Sequence, residues 1–186
     1  MKNHKILIVA VLFFSAAFVN AQSFVEEDKV INLGIGLGTS LYSGTGYNMS
    51  IPPISASFEY GLMELGPGIL GVGGYVGISG YKWEYSSAGT TYGWKYNNFI
   101  IGARGNYHYG FVENLDTYGG FMLGYNIVTS KATGDWPAEI DDSANSGSFV
   151  GAFYVGGRYY FNEKFAAMAE LGYGVVYLNL GVAFKL

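Results

Sequence analysis

The chain has no cysteine. Disulfides, thiolate chemistry and cysteine-based zinc sites are therefore excluded, and stability must come from backbone pairing and packing. Charge is scarce as well. Only 13% of residues are Asp, Glu, Lys or Arg, against about 25% in ordinary globular domains. Ten basic and 14 acidic residues give a formal net charge of −4. That balance offers no basic surface to phosphate backbones, so no nucleic-acid partner is expected. Beyond the first twenty residues there is no long apolar run, and a membrane-spanning helix needs about 20 such residues. What the sequence has in quantity is glycine, 29 of 186 residues, and aromatic side chains, 18% of the total. Glycine and tyrosine are poor helix formers. A chain so aromatic and so weakly charged does not fit intrinsic disorder either.

The N-terminus reads as a leader. Lys2 and Lys5 precede an apolar run from Ile6 to Val19, which is too short to span a bilayer. The run closes on Val19-Asn20-Ala21, a small-x-small cleavage pattern. Residues 1–21 are thus expected to be a secretory signal peptide, removed on export from a bacterial cytoplasm. Residues 22–29 form an N-terminal tail, and residues 30–186 the folded domain.

Within 30–186 the dominant signal is period-two alternation, the mark of β-strands. Ile31, Leu33, Ile35, Leu37, Thr39 and Leu41 share one face, opposite Asn32 and Gly34, Gly36, Gly38 and Ser40. Phe99, Ile101, Ala103, Tyr107 and Tyr109 oppose Asn98, Gly102, Arg104, Asn106 and His108. Phe149, Phe153, Val155, Tyr159 and Phe161 oppose Tyr154, Gly156, Arg158 and Tyr160, and Leu178, Leu180, Val182 and Phe184 oppose Asn179, Gly181 and Ala183. Repeated along the chain, the pattern gives eight strands. Long polar connections (44–50, 85–93, 131–147) contrast with short ones (61–68, 110–116, 162–164, 174–176). Long loops at one rim and tight turns at the other suit a membrane barrel.

Alternation alone does not say which face is inside. A soluble eight-stranded barrel would turn its apolar set inward around a ligand. Here that set is too bulky for the narrow lumen of eight strands. Turned outward, it meets lipid, and the glycines make room inside for tyrosines and charged groups. Aromatic residues also gather at strand ends, as in the girdles at membrane interfaces. A closed sheet satisfies every peptide group in hydrocarbon without leaving an edge. The expected fold is all-β: an eight-stranded antiparallel up-and-down transmembrane β-barrel with a side-chain-filled lumen.

The segments GARGNYHY, GGRYYF, ELGYG and the closing NLGVAFKL resemble the small bacterial outer-membrane β-barrel domain family, of the OmpX, OmpA-barrel and opacity-protein type with a Bacteroidetes flavour. The resemblance covers roughly residues 30–186. It implies a place in the bacterial outer membrane, among outer-membrane lipid and lipopolysaccharide, and passage through the barrel-assembly machinery. Family members often end in an aromatic residue that this machinery reads; this chain ends in Leu186, with outward Phe184 two residues earlier.

Candidate functional residues fall into two groups. Glu59, Arg104, Arg158, Glu170 and His108 lie on the inner face by parity. At an axial rise of ~2.5 Å per residue, Arg104 and Glu170 reach similar heights, with Glu59 and Arg158 lower. Paired, such charges survive burial, so a structural lumen network is expected, with a narrow small-solute or ion channel as the alternative. His108, the single histidine after the leader, sits near a periplasmic turn. A lipid-modifying enzyme would need a Ser/His/acid cluster at the outer rim, and no enzyme activity, cofactor or metal is expected. The second group is in the surface loops: Trp83, Trp94, Asp135, Trp136, Asp141 and Asp142, available to an unidentified surface protein partner. The acidic spacing in 131–147 does not match a calcium loop. Lys82 and Lys95, which frame the second long connection, offer lipopolysaccharide phosphates only two point charges. The role expected from these features is structural or surface interaction through extracellular loops.

Overall fold

A computed structural model of the chain describes residues 23–42, 45–87, 89–134, 136 and 143–186. The leader, residues 1–21, lies outside the described residues, as do Asp135, Asp141 and Asp142.

The alternating segments form eight strands: β1 (Lys29–Leu37), β2 (Tyr47–Leu65), β3 (Gly68–Ser87), β4 (Thr90–Val112), β5 (Leu115–Gly134), β6 (Ser143–Tyr160), β7 (Phe165–Tyr173) and β8 (Leu178–Lys185). Each pairs antiparallel with its sequence neighbour, and β1 pairs with β8 to close the barrel. The turns at one end are tight. Asn114 takes a left-handed backbone (φ 61°) between β4 and β5. Between β6 and β7, Asn162 Oδ1 accepts the amides of Lys164 and Phe165.

The apolar set faces out. Leu33, Ile101 and Leu180 are 53%, 52% and 45% exposed, whereas Arg104 and Glu170 are each 7% exposed on the inside. Along β4 the outward set runs from Tyr109 to Phe99, about 25 Å of axial height at ~2.5 Å per residue, the thickness of a bilayer's apolar band. Phe165 and Phe184 meet at 4.8 Å, and Tyr159 and Phe161 at 5.7 Å, in an aromatic girdle at the periplasmic rim. No helix among the described residues is long and apolar enough to cross a membrane; the crossing is made by strands.

The lumen is packed in layers. Phe24, Val30, Ile69, Tyr160, Ala166 and Ala183 form an apolar floor at the periplasmic end. Tyr75, Ile100, Met122, Ala152 and Val175 form a second cluster toward the extracellular end. Polar and charged groups fill the space between.

The strands differ greatly in length. β2 to β6 have 18 to 23 residues, while β1, β7 and β8 have 8 or 9. About ten residues cross a bilayer, so β2 to β6 overhang it. The expected loop at 85–93 is mostly ladder: Tyr85 pairs with Tyr92 and Ser86 with Thr91. Alternation of hydrophobicity fades above the membrane, where both faces meet water, but the hydrogen-bond ladder continues. The outward alternation read through Thr39 and Leu41 stops earlier. β1 ends at Leu37, Gly38 turns the chain (φ 70°), and Leu41 packs against the upper lumen cluster.

Candidate functional site

The polar lumen is built by inward side chains from several strands, among them Arg104, Asn106 and His108 from β4. In the lower layer, β6 supplies Arg158, fully buried. Its Nη1 donates to Asp116 Oδ2 at 2.9 Å, its Nε to Asn32 Oδ1 at 2.9 Å, and its Nη2 to Glu59. His108 stands between the two acids, with Nδ1 2.7 Å from Asp116 and Nε2 2.7 Å from Glu59. An imidazole protonated on both nitrogens donates to both carboxylates; a neutral ring satisfies only one. Asn106 Nδ2 adds a bond of 2.5 Å to Glu59. Five strands, β1, β2, β4, β5 and β6, are tied together at this level.

The upper layer centres on Arg104 and Glu170, which form an ion pair. Arg104 Nε also donates to the Tyr154 hydroxyl at 2.7 Å, and its guanidinium lies 4.1 Å from the centre of that ring. Glu170 accepts from Tyr118 at 2.9 Å and Asn179 at 3.2 Å. The Tyr154 hydroxyl donates to Asn106 Oδ1 at 2.6 Å, joining the two layers. All five inner residues singled out in the sequence, Glu59, Arg104, His108, Arg158 and Glu170, belong to one connected set. Asp116, Tyr118 and Phe24 join them without standing out in the sequence. Asp116 falls in the expected connection 110–116, although continuing the parity of inward Met122 back along β5 puts it inside. Phe24 carried no periodic signal. Its ring stacks on His108 at 4.0 Å and closes the floor.

The tail holding Phe24 is fixed in place. Asp28 Oδ2 accepts the Val25 amide at 2.8 Å and the Lys185 ammonium at 2.7 Å, and Lys185 also donates to the Ser23 carbonyl at 2.7 Å. Beside Arg104, Glu170 and Asn179 the lumen keeps a cavity of about 30 Å³, room for a water or two. Asn179 Oδ1, buried without a protein partner, gives such a water something to bind.

The three outer tryptophans collect elsewhere, on the concave side of the overhang. Trp83 and Trp94 sit opposite each other on β3 and β4. Trp136 lies 5.9 Å from Trp94 and 5.0 Å from Tyr92, and its Nε1 donates to the Gly93 carbonyl at 3.1 Å. Below them Tyr42 stacks on Tyr81 at 4.5 Å and packs at 5.4 Å from Tyr96. Burial among these rings pushes the Tyr42 hydroxyl above its ordinary value of 10. The side chains on this surface are aromatic and largely uncharged. Among the described residues no group of His, Asp and Glu is arranged to hold a metal ion.

No protein-family model matches the chain, and no curated protein matches it. Solved structures do share its fold. The N-terminal β-barrel domain of Pseudomonas aeruginosa OprF superposes with a TM-score of 0.53 at 18% identity, covering 87% of this chain and 98% of that one. Ail, the attachment invasion locus protein of Yersinia pestis, gives 0.52 at 13% identity, over 87% of this chain and all of that one. Ail in complex with the heparin analogue sucrose octasulfate gives 0.51 at 14% identity. The fold is that of the small eight-stranded outer-membrane barrels.

Proposed function

We propose that this chain is an outer-membrane barrel with a sealed lumen, whose role is structural and interactive: it holds the overhanging hairpins of β2–β6 at the cell surface for an unidentified partner protein. The observation that carries the reading is the contrast between its two halves. The inner half is filled by ion pairs, tyrosine hydroxyls and two apolar clusters. The outer half extends five strands far beyond what a bilayer takes up and lines them with Trp83, Trp94 and Trp136. Large rigid aromatic side chains are the usual anchors of protein contacts. Asp135, Asp141 and Asp142, in the connection between β5 and β6, would add charge to the same rim. The fold neighbour Ail is by name an attachment protein, which agrees with a surface role.

Two rival readings find less support. A lipid-modifying enzyme needs a histidine free to activate a nucleophile at the outer leaflet. His108 is at the opposite end, with both ring nitrogens taken by carboxylates. A narrow channel needs a continuous wet path, and the charged layers are capped above and below by apolar side chains.

The test uses the full chain reconstituted in planar bilayers and expressed in cells. The bilayer records should be silent, and protease added to intact cells should cut at the hairpin tips around residues 85–92. Steady unitary conductance, or tips cleaved only after the cells are broken open, would sink the proposal.

A further inference from the structure

Outside the lumen, the cations are unevenly placed. Lys29, Lys164 and Lys185 lie at the periplasmic end, and Arg104 and Arg158 are buried. The remaining three among the described residues, Lys82, Lys95 and Lys131, fall in one row. Lys82 pairs in register with Lys95, and Lys95 with Lys131, across β3, β4 and β5. All three are on the outward face by strand parity; Lys82 and Lys131 are exposed and Lys95 is half-buried.

Like charges directly opposite each other on a sheet repel, and none of the three has an ion-pair partner among the described residues. Among the described residues, Glu84 is the acid next to the row on the same face. It stands opposite Gly93, one outward position above Lys82, and pairs with none of them. The row's height is informative. The last apolar row of the belt is Ile78, Phe99 and Ile127, themselves in register. A neutral row follows, Gly80, Asn97 and Thr129, and then the lysines. Four residues at ~2.5 Å each place the lysine backbones about 10 Å above the last apolar row. Lysine side chains reach several ångströms toward an interface, which brings the ammonium groups down to the headgroup layer. There phosphates carry the charge.

We propose that Lys82, Lys95 and Lys131 form a binding site for the phosphate groups of outer-leaflet glycolipid. Anionic phosphates would relieve the repulsion along the row and orient the long-strand side of the barrel toward an ordered lipid. The site rests on the membrane placement argued above. Heat-modifiable migration on a gel reports barrel formation separately, so loss of lipid binding is distinguishable from failure of that placement.

The experiment titrates the folded full chain, in a neutral maltoside detergent, with phosphorylated lipid A, with the same lipid A stripped of phosphate, and with inorganic phosphate. Bound lipid is counted by native mass spectrometry, and thermal unfolding is followed in parallel. Phosphorylated lipid A should bind and raise the unfolding midpoint. The Lys82→Gln/Lys95→Gln/Lys131→Gln variant should bind it at least tenfold more weakly, yet melt no lower than wild type without lipid, because removing the row removes repulsion. Equal binding by the variant, or equal binding of dephosphorylated lipid A, would overturn the proposal. So would competition by millimolar inorganic phosphate, which would mark a free-anion site. A variant that melts lower without lipid would show the lysines already paired with the acids of the β5–β6 connection, and would overturn it too.

Discussion

Replacing Arg158 by methionine would remove the one guanidinium that separates Glu59 from Asp116. Arg158 is fully buried, donates to Glu59, Asp116 and Asn32, and lies 4.7 Å from the centre of the Tyr118 ring. Methionine keeps most of the volume, so the cost is chiefly electrostatic. Two carboxylates would be left with only His108 between them, and Asn32 Oδ1 would lose its donor. Removing one partner of a buried ion pair costs about 3–5 kcal/mol, a large share of the stability of a small domain. The compensated variant Arg158→Met/Glu59→Gln leaves Asp116 with His108 and should recover about 2 kcal/mol, a coupling of the size found for residues in one network. The assay is urea unfolding of the barrel in lipid vesicles, followed by heat-modifiable migration and tryptophan emission. If the single variant costs less than ~1 kcal/mol, or the double variant costs the sum of its parts, the layer is not a desolvated ion network.

Other parts of the structure make equally direct predictions. Ile101→Arg, in the middle of the outward belt, should cost about 2–4 kcal/mol of stability in vesicles, as basic residues do at a bilayer's midplane; the same urea assay reads it, and a change below ~0.5 kcal/mol would deny that Ile101 meets lipid. The protein's 3 tryptophans all lie on the overhang. In vesicles their fluorescence should be quenched by aqueous iodide and left unchanged by lipids brominated deep in the acyl chain, and the opposite pattern would place β3 and β4 lower in the membrane.

The faces of the strands were legible in the sequence because parity is a local property. Once Phe99 and Ile101 point to lipid, Arg104 and His108 must point inside. Relative height was legible too, since counting from the turns put Arg104 level with Glu170. Ends of strands were harder. Asp116 falls in the expected connection 110–116, and its inward position follows only if β5 begins at Leu115. Phe24 was invisible for another reason. So short a tail has no periodicity, and its burial depends on a cavity that exists only after the barrel closes. Likewise the row of lysines needed the register: Lys82 and Lys95 are near in sequence, whereas Lys131 joins them only through the β4–β5 ladder.

The link between Lys185 and Asp28 bears on how quickly the molecule comes apart. It crosses the one junction whose strands are distant in sequence, β1 against β8, and the backbone bond from the Leu186 amide to the Lys29 carbonyl at 2.9 Å crosses it as well. Contacts this far apart in sequence are the slowest to form, so that junction closes late. Fastenings made after the rate-limiting step slow opening and leave closing unchanged. The tail therefore acts as a clasp: it sets how long the finished ring lasts, and contributes little to the speed of its making.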